Sequence, residues 1–324
     1  MVTRREWLRL TAGAGAALAV KGITPAWAGT TTQPATLITR AIPKTGEELP
    51  VIGLGGANTF SAAAGREEFA TIGEVLQALV DNGGKLFDTA AGYGASEEVA
   101  GQVAQERGIS SRIWWATKVN AAGGGPGGGG GTADPAAVRN QIERSFQRLR
   151  VPVIDLIQVH NMGDPATQLP ILQEYKEQGR IRYIGITTTS ENQYPALEQV
   201  MRQYPIDFIG IDYAVDNRVA EERIFPLAQE RGIATLIYLP FGRSRMWARI
   251  GDRPLPEWAA EFDATTWAQF MLKFVIAHPA VTVATPGTSN PSHMIDNLGG
   301  GMGRLPTPEH IRRMIEYVDA LPMA

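Results

Sequence analysis

In the stretch LFDTAAGYGASE, Asp88 closes a short apolar run, and Tyr93 follows five residues later between Gly92 and Gly94. Lys118 ends a second apolar run, RIWWATK, and His160 a third, DLIQVH. A charged side chain that finishes a buried strand costs stability unless it finds a partner, so Lys118 and His160 need neighbours. Singly, each residue has an ordinary explanation: Asp88 as a helix cap, Tyr93 as loop surface, Lys118 as a snorkelling lysine, His160 as a hydrogen-bonded interior histidine. Together they can do acid–base chemistry. A phenol, with a reference pKa of about 10, is a poor acid at neutral pH unless a neighbouring cation favours its phenolate. Lys118 supplies such a cation, Asp88 would hold the ammonium in place, and His160 would orient a carbonyl oxygen or share the proton.

For these four to meet, the runs that carry them must lie side by side. Strands are expected at about 51–54, 85–88, 113–118, 154–160, 183–187, 208–213, 234–239 and 282–285, all short and apolar, as buried parallel strands are. Helical patterns lie between them, such as EEFATIGEVLQALVDNG and DPAAVRNQIERSFQRLRV, the second with Asp134 as N-cap and Pro135 at the first helical position. This alternation fits a single-domain α/β (β/α)8 TIM barrel, in which the strand ends share one rim. An open doubly wound sheet is the competitor, but no G-x-G-x-x-G opens the first strand-to-helix turn and no second domain boundary shows in composition. The glycine tract at 123–131 reads as a flexible strand-to-helix loop; it lacks the Lys-Ser/Thr ending of a phosphate cradle.

The 324 residues carry a formal charge of −3, with no basic stripe of the kind nucleic acid requires. There is no cysteine, which excludes disulfides, thiolate metal sites and thiol nucleophiles. The four histidines show no metal-binding spacing, so no metal is expected, and His278, before a proline at a helix end, reads as a cap. The first 28 residues stand apart: paired Arg4 and Arg5, the apolar run LTAGAGAALAV and an A-x-A box in PAWAG follow one another in the order of a twin-arginine (Tat) signal peptide. That apolar run is too short to span a bilayer, so no permanent membrane anchor is expected. Residues 1–28 carry a net +3, and the remainder would stand at −6. The expected organisation is a signal at 1–28, a polar lead-in at 29–45 and the barrel at 46–324, in a protein exported to the periplasm through the Tat machinery.

Five segments, FDTAAGYGASE (87–97), ATK (116–118), RSFQRLRVPVIDLIQVH (144–160), GRIRYIGITT (179–188) and TPGTSNPSHMIDN (285–297), together resemble the aldo/keto reductase superfamily. The resemblance implies a barrel that binds a nicotinamide cofactor without a dinucleotide fingerprint, NADP(H) in preference to NAD(H), and passes a hydride to a small-molecule aldehyde or ketone. The family's catalytic aspartate, tyrosine, lysine and histidine fall on Asp88, Tyr93, Lys118 and His160. Its carboxamide-holding serine and asparagine fall on Thr187 and Thr188, its sixth-strand glutamine on Gly210, and the aromatic residue that stacks on nicotinamide on Tyr238. After the eighth strand, where the family often has a lysine and an arginine for the adenosine phosphate, Pro286 is followed by Gly287, Thr288 and Ser289, with His293 at the arginine-like position and Asn297 four residues later. A helix N-terminus with hydroxyl side chains still suits phosphate. Trp247 and Trp258, in the long insertion after the seventh strand, could wall a substrate pocket or pack that loop. The expected function is NAD(P)H-dependent carbonyl reduction; the alternative is a cofactor-binding redox sensor or regulatory subunit on the same barrel.

Overall fold

The computed structural model describes residues 36–57, 59–61, 66–128 and 130–322. The expected signal at 1–28 lies outside them. A hairpin comes first: β1 (Thr39–Ala41) pairs antiparallel with β2 (Glu48–Pro50). Strands and helices then alternate: β3 (Leu54–Gly55), α1 (Arg66–Asp81), β4 (Leu86–Asp88), α2 (Ser96–Glu106), β5 (Trp114–Val119), α3 (Pro135–Leu149), β6 (Ile154–Val159) and α4 (Pro165–Glu177). The second half continues with β7 (Ile181–Thr188), α5 (Tyr194–Gln203), β8 (Phe208–Asp212), α6 (Ile224–Arg231), β9 (Ala234–Tyr238), α7 (Arg245–Ile250), α8 (Trp267–Ala277), β10 (Val283–Ala284), α9 (Pro291–Gly299) and α10 (Pro308–Asp319).

Strands β3 to β10 form one parallel sheet in chain order. The sheet closes on itself through bridges between Ile52 and Ala284 and between Gly55 and Gly287, which join its first and last strands as a barrel requires. Gly55 is required there: a Cβ on it would sit 2.8 Å from the Thr285 carbonyl oxygen.

Alternation along each strand creates two apolar layers. Leu86, Trp114, Leu156, Tyr183, Phe208, Leu236 and Val283 are buried inside the barrel, joined from below by Ile42 and Leu49 of the hairpin segment. Their neighbours, such as Phe87, Trp115 and Ile157, pack outward against the helices. Each such buried side chain contributes about 1.5–3 kcal/mol. The hairpin is tied down by Arg40, whose guanidinium donates to the carbonyls of Ile276, His278 and Val281.

Each expected barrel strand is present, with ends moved by up to three residues. Two differences matter. Residues 39–41, within the stretch read as a polar lead-in, form a strand. His160 does not finish β6 but opens a short 3-10 turn, because Asn161 and Met162 take left-handed φ values of 54° and 57°. The glycine tract folds back as a tight turn in which Gly125 and Gly128 exchange backbone hydrogen bonds of 3.2 and 3.0 Å. Helix α3 starts as its sequence dictates, Asp134 accepting from Ala136 N at 3.1 Å, and His278 is the C-cap residue of α8.

Candidate active site

The upper layer inside the barrel is polar. Asp88, Lys118 and Gln158 each lie two residues above a buried apolar residue of the same strand, namely Leu86, Ala116 and Leu156, so all three face inward. Lys118 Nζ meets Asp88 Oδ2 at 2.5 Å and donates to the Thr89 carbonyl at 2.8 Å, and both side chains are almost fully buried. The ammonium lies 5.1 Å from the Tyr93 ring centroid and 4.9 Å from that of Tyr238, within cation–π range of both.

Tyr93 is delivered by a tight turn after β4. Its N–H donates to the Ala90 carbonyl and its own carbonyl accepts from Ser96 N, both at 2.9 Å. Gly94 follows at φ 51°, and a Cβ there would meet the Ser61 carbonyl oxygen at 2.8 Å, so position 94 needs glycine. The loop is pinned by Thr89 Oγ1 donating to Ser96 Oγ at 2.7 Å and by buried Glu97, which accepts from Thr117 Oγ1 at 2.6 Å. The Tyr93 hydroxyl reaches His160 Nε2 at 3.5 Å, with the two rings edge to face.

Burial pushes the Asp88 carboxyl above the usual carboxylate range, although Lys118's charge and the hydrogen bonds from Lys118 and Tyr238 work the other way. Burial likewise opposes the Lys118 charge, but Asp88, with Tyr93, outweighs it and holds the ammonium above its ordinary value. His160 is pulled down to about 3 by burial and by the Lys118 charge. Its imidazole is therefore neutral across the physiological range.

These groups open into a cavity of about 600 Å³ whose walls include Thr59, Asp88, Tyr93, Pro126, His160 and Tyr238. Thr187 also lines it, its hydroxyl accepting from Asn161 N at 3.1 Å. Thr188 does not: it is fully buried and its hydroxyl donates to Gln193 Oε1 at 2.5 Å. A second cavity of about 450 Å³ shares Phe241, Ser244 and Gly287 with the first and runs to Thr288, before α9, and to His293 and Asn297 within that helix. Ser289 is exposed beside it. Trp247 lines this second cavity, 42% exposed and packed on Phe241. Trp258 belongs to neither. It packs against Phe262, Phe270 and Tyr317 under the Arg313 guanidinium, so its role is to hold the insertion against the core, and the pocket reading is corrected. A larger open cleft of about 840 Å³ lies alongside, its Asp212 and Asp216 paired with Arg243 and Arg245; the four convergent residues lie outside it.

Thr59, Pro126 and Asp296 at the cavities, and Gln158 buried behind Tyr238, escaped the sequence reading. Gln158 had a signal, a polar residue two before His160 in an apolar strand. Among the described residues no group of His, Cys, Asp or Glu could hold a metal ion, and no helix is long and apolar enough to cross a membrane.

The model of the aldo/keto reductase family matches residues 51–312, and the chain belongs to that family. The aldo-keto reductase YhdN of Bacillus subtilis (strain 168) is 32% identical over 204 residues, which is 61% of this chain; the chain spans 60% of YhdN's length. Solved structures that resemble it include the holo form of aldo-keto reductase AKR11C1 from Bacillus halodurans, with TM-score 0.68 and 24% identity over 89% of this chain and 97% of that one, and an aldo-keto reductase from Klebsiella pneumoniae in complex with NADPH, with TM-score 0.70 and 21% identity over 90% of this chain and 100% of that one. At such identities the likeness is one of fold, the eight-stranded β/α barrel.

Proposed function

We propose that the protein is an NAD(P)H-dependent reductase of aldehydes or ketones in which Tyr93 is the proton donor. The observation that carries this reading is the buried Asp88–Lys118 pair set against Tyr93, with His160 at the same rim. A carbonyl oxygen seated between the Tyr93 hydroxyl and His160 Nε2 would meet the phenol as one donor and, in the tautomer that carries its proton on Nε2, the neutral imidazole as a second. Lys118 supplies the positive charge that stabilises the phenolate left when Tyr93 gives up its proton, and Asp88 keeps that ammonium in register.

The two joined cavities suit an extended dinucleotide. Thr59 Oγ1, buried in the wall of the first, has no hydrogen-bond partner among the described residues. Tyr238 offers an aromatic wall, Thr187 a hydroxyl, and Gly287, Thr288, Ser289 and His293 lie at the start of α9, whose N-terminus favours phosphate, with Asn297 about one turn further along the helix. Bound nicotinamide supplies the hydride that the protein's own side chains lack. The family resemblance favours NADP(H), but no Lys or Arg lines the second cavity, where the Asp296 carboxylate stands beside His293. Discrimination against NADH is therefore expected to be weak.

The test is NADPH and NADH oxidation by the purified protein with 4-nitrobenzaldehyde, followed by nicotinamide absorbance. Turnover with either donor is expected, with kcat/KM values within about tenfold of each other, the size of one lost charged contact. Tight binding of both cofactors without turnover on any carbonyl tried would contradict the reading. The twin-arginine pattern at the N-terminus supports export through the Tat machinery. An Arg4→Lys, Arg5→Lys variant would then stay in the cytoplasm while the parent chain is recovered from the periplasm; equal periplasmic recovery would overturn that part.

A further inference from the structure

Tyr238 does more than line the cavity. Its hydroxyl accepts from Gln158 Nε2 at 2.9 Å and donates to Asp88 Oδ1 at 3.2 Å. Lys118 binds the other oxygen, Oδ2, so each carboxylate oxygen has its own donor. The Tyr238 ring reaches this depth because residue 210 has no side chain. Gly210 pairs with Leu236 on the next strand, which puts Tyr238 one pleat further along the same inward face. A Cβ on Gly210 would sit 2.4 Å from Tyr238 Cε2 and 2.6 Å from its hydroxyl oxygen. Gly210 is not among the glycines of positive φ, so its own backbone does not demand glycine. The neighbouring ring does.

We propose that Tyr238 is a positioning residue for proton delivery: its hydroxyl, seated in the slot that Gly210 leaves, fixes the Asp88 carboxylate against Lys118 and so holds the cation beside Tyr93. This rests on the reading of Tyr93 as the proton donor. The groups that face Asp88 are Lys118 from β5, Tyr238 from β9, Tyr93 from the loop after β4 and, beyond Tyr93, His160 after β6; Gln158 is neutral. A hydrogen bond donated to a carboxylate favours its charged form. With the Tyr238 hydroxyl gone, Asp88 would take up a proton at higher pH, and activity that needs the Asp88–Lys118 pair would be lost earlier on acidification.

Two variants test this from opposite sides. Tyr238→Phe keeps the ring and removes the hydroxyl, whereas Gly210→Ala keeps the hydroxyl and displaces the ring. Both are expected to lower kcat roughly tenfold and to move the acid limb of the kcat profile up by about one pH unit, the worth of one hydrogen bond to a charged group. For Tyr238→Phe, the Kd for NADPH from fluorescence quenching, measured without substrate, should stay within about threefold, since a phenyl ring offers the same apolar face. If Tyr238→Phe has the parental kcat and pH profile, or changes only the NADPH Kd, the proposal is overturned. Should Tyr238→Phe fail to fold, an unshifted profile in Gly210→Ala overturns it instead. Tyr93→Phe, run alongside, separates the two readings: turnover retained there removes the proton-donor reading itself, whereas its loss there with an unchanged Tyr238→Phe removes only this proposal.

Discussion

His160 illustrates how a residue's surroundings decide what chemistry it can do. Held at about 3 by burial and by Lys118, it is neutral when folded but binds a proton in the unfolded chain below about pH 6.5. Its folded pKa is thus lowered, and the linkage runs against the folded state: stability falls as pH drops from about 6.5 toward 3 and is unaffected by this group above that window. Chemical denaturation at about pH 5 and about pH 8 should show a smaller loss in His160→Gln than in the parent; an equal loss would mean that the imidazole is not buried in its neutral form. Asp88, Tyr93, Lys118 and His160 were legible as polar residues at or just beyond the ends of apolar runs. The Tyr238 hydroxyl's place on Asp88 was not. It depends on an absent side chain at Gly210 on the neighbouring strand, a cross-strand relation that a linear pattern does not carry.

Among the elements, α2 and α3 pack closely enough to reverse an ordinary propensity. Gly101 lies mid-helix in α2, where alanine would by itself favour the helix by up to about 1 kcal/mol. A Cβ there would instead meet the Arg148 carbonyl oxygen at 2.2 Å and Leu149 Cα at 2.7 Å, both backbone atoms that cannot step aside. Gly101→Ala is therefore expected to destabilise by about 1–3 kcal/mol, and a variant more stable than the parent in urea would show that the two helices can separate without loss. The start of α3 could be read directly, because Asp134 and Pro135 act locally. The β1–β2 hairpin could not: its strands are three residues each, and what seats it is Arg40 reaching carbonyls some 240 positions away.

Across the whole barrel, one rim gathers Asp88 from β4, Lys118 from β5, His160 from the turn after β6 and Tyr238 from β9. The barrel itself was evident from eight short apolar runs separated by helical patterns, since parallel strands buried on both faces have few other ways to close. How the insertion after β9 packs was not, and Trp258 shows why: an aromatic residue in a loop has the same signature whether it walls a pocket or packs against the core. What the converging rim is for rests on Tyr93. The most direct measurement is the kcat of Tyr93→Phe for 4-nitrobenzaldehyde beside that of the parent protein, with the Kd for NADPH determined in the same preparations. The account predicts a fall of about a hundredfold or more, the usual contribution of a positioned general acid, with cofactor binding retained. A kcat equal to the parent's, with NADPH still bound, would contradict it.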